Sequence, residues 1–137
     1  MNRLSIIQIA ELAQAAVSSG DGNAPVEKIS TDSRTIKLGE LFVALRGENF
    51  DGHNFVESVA KTGGAGAIVD LNWKGEIPAN FAIIRVEDTL RAYQNLAANY
   101  RKSLSLKVLA ITGSNGKTST KDFGATVLAR GFCVTKT

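Results

Sequence analysis

The residues that most clearly suggest chemistry lie in the stretch LAITGSNGKTST, residues 109–120. A common phosphate-binding loop has the pattern G-x-x-x-x-G-K-[ST], in which backbone N–H groups surround the phosphates, the lysine neutralises them and the hydroxyl helps to hold Mg²⁺. The end of this pattern is matched by Gly116, Lys117 and Thr118. Its first glycine should fall at Ile111, whereas the chain has its other glycine at Gly113, so the strict pattern fails.

The physically essential parts of a phosphate-binding loop are nevertheless present. Glycines let the backbone approach an anion, and the free N–H groups and positive dipole end of the following helix point to the same place. We predict that Lys117 contacts the β- and γ-phosphates and that Thr118 holds Mg²⁺, which makes these two the catalytic residues. The full predicted nucleotide-binding set is Thr112, Gly113, Ser114, Asn115, Gly116, Lys117, Thr118 and Ser119. The alternative is a glycine-rich turn with a solvated lysine, which the predicted flanking elements disfavour.

The elements predicted around this loop would begin a mononucleotide-binding unit. KVLAIT, residues 107–112, has the apolar, β-branched character of a buried strand, and residues 117–130 have the pattern of an amphipathic helix. FCVT, residues 132–135, would open another strand, with Cys133 as a small apolar residue in it. We therefore place a domain boundary before this unit, giving domains at residues 1–105 and 106–137.

The preceding residues alternate between helical and strand patterns, which predicts the α/β class. Ser5 and Gln8 form a capping box for a first helix whose apolar spacing continues to Ala16. Asp88 caps a later helix with a predicted apolar stripe of Leu90, Tyr93, Leu96, Ala97 and Tyr100. Between them the patterns predict strands at residues 26–30, 41–45, 65–70 and 81–87 and a short helix at residues 54–64.

Composition limits the possible partners. The chain has 137 residues, 44% of them hydrophobic, with 16 basic and 13 acidic residues and a net charge of +3. The charges form no run that would follow a nucleic-acid backbone, so nucleic acid is not an expected partner. No apolar segment approaches the roughly 18 residues that cross a bilayer, so no membrane insertion is expected. The single cysteine fits a reducing cytoplasm.

Two segments resemble one protein family. The spacing T-G-[ST]-N-G-K-[ST] resembles the ATP loop of the Mur ligases, which assemble the peptide stem of bacterial cell-wall precursors, and also occurs in folylpolyglutamate synthases. Residues 30–70, STDSRTIKLGELFVALRGENFDGHNFVESVAKTGGAGAIVD, are similar to the uridine-nucleotide-binding domain of the Mur ligases. The resemblance implies a small α/β uridine-nucleotide-binding domain followed by the truncated start of a P-loop α/β domain. Leu38 departs from the proline that the family often has there.

Within the family, the segments TDSR, LFVALRGENFDGHNF and GKTSTKD are most similar to ligases that join D-alanyl-D-alanine to UDP-N-acetylmuramoyl (UDP-MurNAc) tripeptide. Ligases that add the third stem residue are the alternative. The resemblance implies ATP and Mg²⁺ as cofactors and a reaction in which an amine attacks an acyl phosphate. It also implies a cytoplasmic, monomeric, three-domain enzyme, so we expect the 137-residue chain alone to be inactive.

The resemblance also implies a set of uridine-nucleotide contacts. They are Thr31, Ser33, Arg34, Gly47, Glu48, Asn49 and Phe50. Thr31 and Ser33 would lie beside the uracil, and residues 48–50 would close over the uridine. Local chemistry offers another interpretation of TDSR, because aspartate and serine favour turns. Arg34 either contacts the diphosphate or pairs with Asp32, and the sequence leaves both open.

Other side chains have open or structural interpretations. His53 is the only histidine, and histidine titrates near neutral pH, but its position beside a turn and a helix start favours a structural role. Trp73 is either a surface loop residue or a lid over the domain. The aromatic residues predicted to serve packing are Phe42, Phe50, Phe55, Tyr93 and Tyr100.

Two other classes of protein compete with a ligase. The first is a module that binds a UDP-sugar without catalysis. The second is an unrelated P-loop kinase or GTPase, which is disfavoured because Ile111 replaces the expected glycine and because residues 30–70 have their own Asp-Ser-Arg pattern.

Overall fold

The computed structural model describes residues 3–136 and divides the chain into two compact units. The first unit extends to Leu104 and the second begins at Ser105, whereas the sequence placed the boundary between residues 105 and 106. Among the described residues, no helix is long and apolar enough to cross a membrane.

The first unit is a mixed α/β structure. Its helices are α1 (Ile6–Leu12), α2 (Val56–Lys61) and α3 (Thr89–Ser103), and a 3₁₀ turn (Gly52–Phe55) precedes α2. Its strands are β1 (Leu4–Ser5), β2 (Ala16–Ser19), β3 (Pro25–Val26), β4 (Ile29–Ser30), β5 (Leu41–Val43), β6 (Gly66–Asp70) and β7 (Ala82–Val86). β1 and β3 form a small antiparallel pair, and the main sheet has five strands in the order β2-β7-β6-β5-β4. The predicted α/β class is confirmed.

Strands β4 to β7 are parallel neighbours in chain order, and β2 adds an antiparallel edge beside β7. The sheet is buried on both faces. In β5, Leu41 and Val43 pack into one apolar cluster with α1 and α3, while Phe42 packs into a second cluster with α2. All three side chains are 0% exposed. This alternation explains why the strand is continuously apolar, as expected for a parallel strand covered on both sides.

The first helix shows where local signals held and where they failed. The Ser5 hydroxyl accepts a hydrogen bond from the Gln8 N–H at 3.4 Å, and the Gln8 side chain accepts one from the Ser5 N–H at 2.9 Å, so the capping box is confirmed. The helix ends at Leu12, so its predicted extension to Ala16 is wrong. Gln14 adopts a left-handed φ of +60° that redirects the backbone. Ala16 then begins β2, which pairs with β7.

Two other predicted elements differ from the structure. Residues 26–30 form two short strands instead of one, because β3 pairs with β1 and β4 pairs with β5 in a different sheet. Helix α3 is capped by Asp88 as predicted, with the carboxylate 2.9 Å from the Arg91 nitrogen. The predicted stripe is wrong at Leu90 and Ala97, which are exposed, because α3 packs through Thr89, Ala92 and Leu96.

The second unit contains helix α4 (Lys117–Leu128), as predicted, but not the strands predicted on either side of it. Residues 107–112 and 132–135 are not strands and are largely exposed. A strand requires a hydrogen-bonded neighbour, and neither segment has one among residues 3–136. Cys133 is correspondingly exposed rather than part of a strand. Helix α4 buries no residue within the described structure.

Candidate functional site

The predicted uridine-binding segments lie at one edge of the main sheet. Residues 31–34 follow β4 and residues 44–51 follow β5, and these two strands are parallel neighbours. Parallel strands bring their carboxyl ends to the same edge, and ligands of open α/β sheets bind outside that edge. The topology thus brings the two segments, which are separated in sequence, to the same end of the sheet.

The TDSR segment forms a tight turn closed by its own side chains. The Asp32 carboxylate accepts hydrogen bonds from the Arg34 backbone N–H at 3.0 Å and from the guanidinium at 2.9 and 2.8 Å. The side-chain and backbone hydrogen bonds from Arg34 lower the pKa of Asp32 to about 2. Of the two interpretations left open for Arg34, the pairing with Asp32 is observed. Thr31 and Ser33 are half-buried in this turn.

The segment after β5 is a narrow loop. Arg46 and Asp51 face each other in an isolated antiparallel bridge at its base. Inside this bridge, the Gly47 N–H donates to the Phe50 carbonyl at 2.7 Å. Glu48 and Asn49 are exposed at the tip. We call residues 47–50 the tip loop.

The aromatic residues near the tip loop differ in burial. Phe50 is 48% exposed and Phe55 is 38% exposed. Their rings stack on each other with centroids 5.4 Å apart. The prediction of a packing role is therefore confirmed for the fully buried Phe42, whereas Phe50 and Phe55 pack mainly on each other at the surface. Phe50, at the end of the tip loop, thus presents an exposed aromatic surface that is suited to stacking on a flat ring.

A charged network holds the base of the tip loop. The Arg46 guanidinium lies 3.0 Å from Asp51 Oδ2 and 2.9 Å from Asp70 Oδ2. His53 Nδ1 lies 2.6 Å from Asp51 Oδ1, and the Asp70 backbone N–H donates to His53 Nε2 at 2.9 Å. Asp70 is the last residue of β6, so the network joins the tip loop to the end of the next strand.

Electrostatics define the protonation of this network. Burial opposes ionisation of Asp51, but hydrogen bonds from the His53 backbone, the His53 ring and Arg46 outweigh it and lower the Asp51 pKa to about 2. Since a backbone N–H can only donate, Nε2 of His53 is the acceptor in its bond with Asp70, and Nδ1 carries the proton given to Asp51. The structural interpretation of His53 agrees with these bonds.

Trp73 covers part of the apolar cluster on the α2 side of the sheet. Its indole packs against that cluster and donates to the His53 carbonyl at 3.3 Å. Arg85 lies over the indole ring at 5.9 Å and donates to the Trp73 carbonyl at 2.6 Å. An added Cβ at Gly75 would lie only 2.2 Å from the indole, so this glycine makes room for the ring. Of the two interpretations of Trp73, the lid is observed.

Asp51 and Asp70 were not predicted as functional residues from the sequence. The available signal was the spacing in FDGHNF, where an aspartate two residues before a histidine can accept a bond from the histidine backbone. The same bond is present here at 3.0 Å. The contribution of Asp70 had no local signal, because it is separated from His53 by 17 residues.

The glycine loop of the second unit contains two glycines with positive φ. Gly113 has φ +152° and Gly116 has φ +73°, values that residues with a side chain rarely adopt. The Lys117 ammonium donates to the Gly113 carbonyl at 2.7 Å, so it lies over the loop. The first turn of α4 begins directly after Gly116.

The residues of this loop fit a nucleoside triphosphate and its Mg²⁺ ion. Helices α1 and α3 are capped by the side chains of Ser5 and Asp88. No side chain within the described residues caps α4, so its first N–H groups are available to an anion. In phosphate-binding loops of this pattern a lysine neutralises phosphate charge and a hydroxyl in the first helical turn helps to hold Mg²⁺, and Lys117 and Thr118 are residues of those types.

The chain is therefore an α/β protein of two units. Its candidate nucleotide sites are the two loops at the carboxyl edge of the sheet and the glycine loop before α4. A model of the Mur ligase family, catalytic domain, matches residues 25–101. The chain belongs to the Mur ligase family. A crystal structure of MurF from Acinetobacter baumannii superposes with a TM-score of 0.82 at 36% identity, covering 96% of this chain and 28% of that protein.

Two curated relatives show how far the similarity extends. The UDP-N-acetylmuramoyl-tripeptide–D-alanyl-D-alanine ligase of Bacillus subtilis is 38% identical over 138 residues, which include 100% of this chain. The UDP-N-acetylmuramoyl-L-alanyl-D-glutamate–2,6-diaminopimelate ligase of Cytophaga hutchinsonii is 36% identical over 74% of this chain. The chain spans 30% of the length of the first relative and 21% of the second.

Proposed function

We propose that this chain provides the uridine-nucleotide-binding unit and the start of the ATP-binding unit of a MurF-type ligase. Such a ligase joins D-alanyl-D-alanine to UDP-MurNAc-tripeptide during peptidoglycan synthesis in the cytoplasm. The observation that carries the proposal is the similarity to the Bacillus subtilis D-alanyl-D-alanine ligase along 100% of the chain, through the turn, the tip loop and the glycine loop.

The proposed uridine site comprises the turn after β4 and the tip loop. Thr31 and Ser33 contact the uracil, and residues 48–50 close over the uridine. Arg34 serves this site while paired with Asp32, because its side chain remains 85% exposed and has donors to offer a diphosphate. The exposed ring of Phe50 supplies an apolar surface for the nucleoside.

The proposed ATP site comprises residues 112–119. The amides of Ser114, Asn115 and Gly116 surround the phosphates, and Lys117 exchanges its bond to the Gly113 carbonyl for the β- and γ-phosphates. Bound ATP with Mg²⁺ would supply the phosphoryl group that activates the terminal carboxylate of the peptide. The chain's own contribution to this step is to position charge and stabilise it, and Lys117 and Thr118 are the residues that do so.

Titration calorimetry of the 137-residue chain tests the proposed uridine site. We expect weak binding of UDP-MurNAc-tripeptide and little binding of Mg·ATP, because the glycine loop lies between segments that lack a sheet. Lys117→Ala should leave the tripeptide affinity unchanged, and Arg34→Ala should reduce it. Absence of any uridine-nucleotide binding would refute the proposal, and binding of GTP without uridine nucleotides would instead indicate a P-loop kinase or GTPase.

A ligase that adds the third stem residue is the second candidate, supported by the diaminopimelate ligase match over 74% of the chain. Chimaeras distinguish the two types. We would replace the matching residues of the Bacillus subtilis and Cytophaga hutchinsonii ligases with this chain and measure phosphate release by each chimaera with the substrates of its parent. Turnover by only the Bacillus chimaera supports the MurF type, and turnover by only the Cytophaga chimaera refutes it.

The same chimaeras separate a ligase from a module that binds a UDP-sugar without catalysis. If the chain retains uridine-nucleotide binding but neither chimaera turns over, the non-catalytic module is favoured. A Lys117→Ala version of an active chimaera is the matched control, since it should lose turnover while retaining uridine-nucleotide binding.

A further inference from the structure

His53 has no ring nitrogen left to contact a ligand. Its side chain is 6% exposed. Nδ1 donates to the Asp51 carboxylate at 2.6 Å, and Nε2 accepts the Asp70 backbone N–H at 2.9 Å. A neutral imidazole has one donor and one acceptor, so both are used. Any effect of His53 on a ligand must therefore pass through its two partners.

Asp51 and Asp70 connect the tip loop to the main sheet. Asp51 closes the base of the tip loop opposite Arg46, and Asp70 ends the central strand β6. Arg46 makes a second connection between the same two residues, this time through their carboxylates, at 3.0 Å to Asp51 and 2.9 Å to Asp70. The tip loop itself is exposed and makes few internal bonds. Its position relative to the sheet edge thus depends on the network beneath it.

We infer that His53 is a positioning residue for the uridine-nucleotide site: it fixes the tip loop against the end of β6, through Asp51 and Asp70, without touching the ligand. The inference rests on the proposed uridine site. A loop that is already ordered loses less conformational freedom when a ligand binds, so the affinity rises without any new contact. Without His53 the loop would be joined to β6 by Arg46 alone, and the ligand would have to order it further.

Calorimetric titration of the 137-residue chain with UDP tests the inference. We expect His53→Ala to weaken UDP binding about tenfold, the ratio that corresponds to ordering the backbone of roughly one additional loop residue on binding. Ile9→Val is the matched control, because Ile9 is buried in the apolar cluster on the other face of the sheet from α2. It should lower the melting temperature but leave UDP affinity unchanged.

Conservative variants and amide exchange give readouts that a merely structural role would not produce. In His53→Asn the side-chain amide can replace the Nδ1 donor to Asp51, and we expect UDP affinity within about threefold of the parent chain. We expect weaker binding in His53→Gln, whose longer side chain misplaces that donor. In His53→Ala, exchange of the Gly47 and Gly52 amides, which bond across the loop base, should accelerate while the buried Ile68 amide stays protected.

The outcomes separate the inference from the proposed function. If the parent chain does not bind UDP, the uridine site itself is refuted. If it binds UDP and His53→Ala binds equally well, only the positioning role is overturned. Equal losses of affinity in His53→Ala and Ile9→Val would show general destabilisation and also overturn it. Should His53→Ala fail to fold, the ranking of the asparagine and glutamine variants decides, and equal affinities would contradict the inference.

Discussion

The two candidate sites differ in what holds them in place. The tip loop is attached to a sheet that is buried on both faces, and a bond between His53 and Asp70 fixes it across 17 residues of sequence. The glycine loop is held by a bond across four residues, between Lys117 and Gly113, and precedes a helix without buried residues in the described structure. The first site depends on tertiary packing, whereas the second is a local backbone conformation.

The two sites show that a motif can form its local backbone conformation without the rigid support that a binding site needs. Glycines with positive φ and an uncapped helix start produce an anion-binding backbone without help from distant residues. Rigid support is a separate requirement, because a site must keep its groups in place before the ligand arrives. Among residues 3–136, only the sheet edge has such support from a packed core.

The largest expected effect is the difference in unfolding free energy between a phenylalanine-to-alanine substitution in the first unit and one in the second. Phe42→Ala removes a ring that is 0% exposed and should cost about 3–5 kcal/mol of unfolding free energy. Phe123→Ala removes one that is 74% exposed and should change it by less than about 0.5 kcal/mol. Urea unfolding followed by the fluorescence of Trp73 and by circular dichroism measures both. Comparable losses in the two variants would contradict the contrast between the units.

Alanine substitutions at two glycines with similar φ angles test how much the neighbouring atoms add to the cost of a left-handed conformation. Gly20, with φ +84°, follows β2, and an added Cβ would lie 2.5 Å from Ala82 Cα, a backbone atom of the paired strand β7. Gly20→Ala should cost about 1–2 kcal/mol from the left-handed conformation, increased by this contact with backbone that cannot move aside. Gly116→Ala, at φ +73° with open space around the Cβ position, should cost less. Thermal unfolding of both variants gives the order, and a reversed order would contradict this account.

The helix caps provide a smaller effect. Asp88→Ala removes the carboxylate that accepts the Arg91 N–H at 2.9 Å, and should lower stability by about 1 kcal/mol. Asp88→Asn should retain most of the cap because its side-chain oxygen still accepts that bond. Melting temperatures of the two variants measure the difference. An alanine variant as stable as the parent would show that α3 is held by packing alone.

The pH dependence of stability is expected to be the mildest effect. The pKa of Asp51 in the folded chain is about 2, below its ordinary value of 3.8. Its ionised form therefore stabilises the fold above pH 4, and this contribution is lost as the pH falls from about 4 to about 2. Melting temperatures of the parent chain and Asp51→Asn should converge across that interval. A constant difference between them would mean that Asp51 does not contribute in this way.

Asp32 provides the control for that measurement. Its pKa is also about 2, because of the bonds from Arg34, but Asp32 is 40% exposed and its partner Arg34 is 85% exposed. Exposed ion pairs contribute little and are screened by salt. Asp32→Asn should therefore change the acid dependence of the melting temperature less than Asp51→Asn. The reverse result would mean that the charge of Asp32 contributes more to stability than the charge of Asp51.

Much of the first unit could be predicted because its signals act over a few residues. The Ser5 capping box and the Asp88 cap were found from neighbouring side chains, and apolar runs predicted strands where the structure has β5, β6 and β7. Each of these depends on backbone preferences and burial that a short segment already contains.

By itself, then, the sequence determined the α/β class and the starts of α1, α3 and α4, because each depends on neighbouring residues. Only the tertiary structure decided that Ala16 begins a strand beside β7, that Trp73 covers the core and that Asp51, His53 and Asp70 form one network. It also decided that residues 107–112 are not a strand. The physical reason is that strand pairing and long-range hydrogen bonds require a partner, and a local pattern does not specify which partner the fold provides.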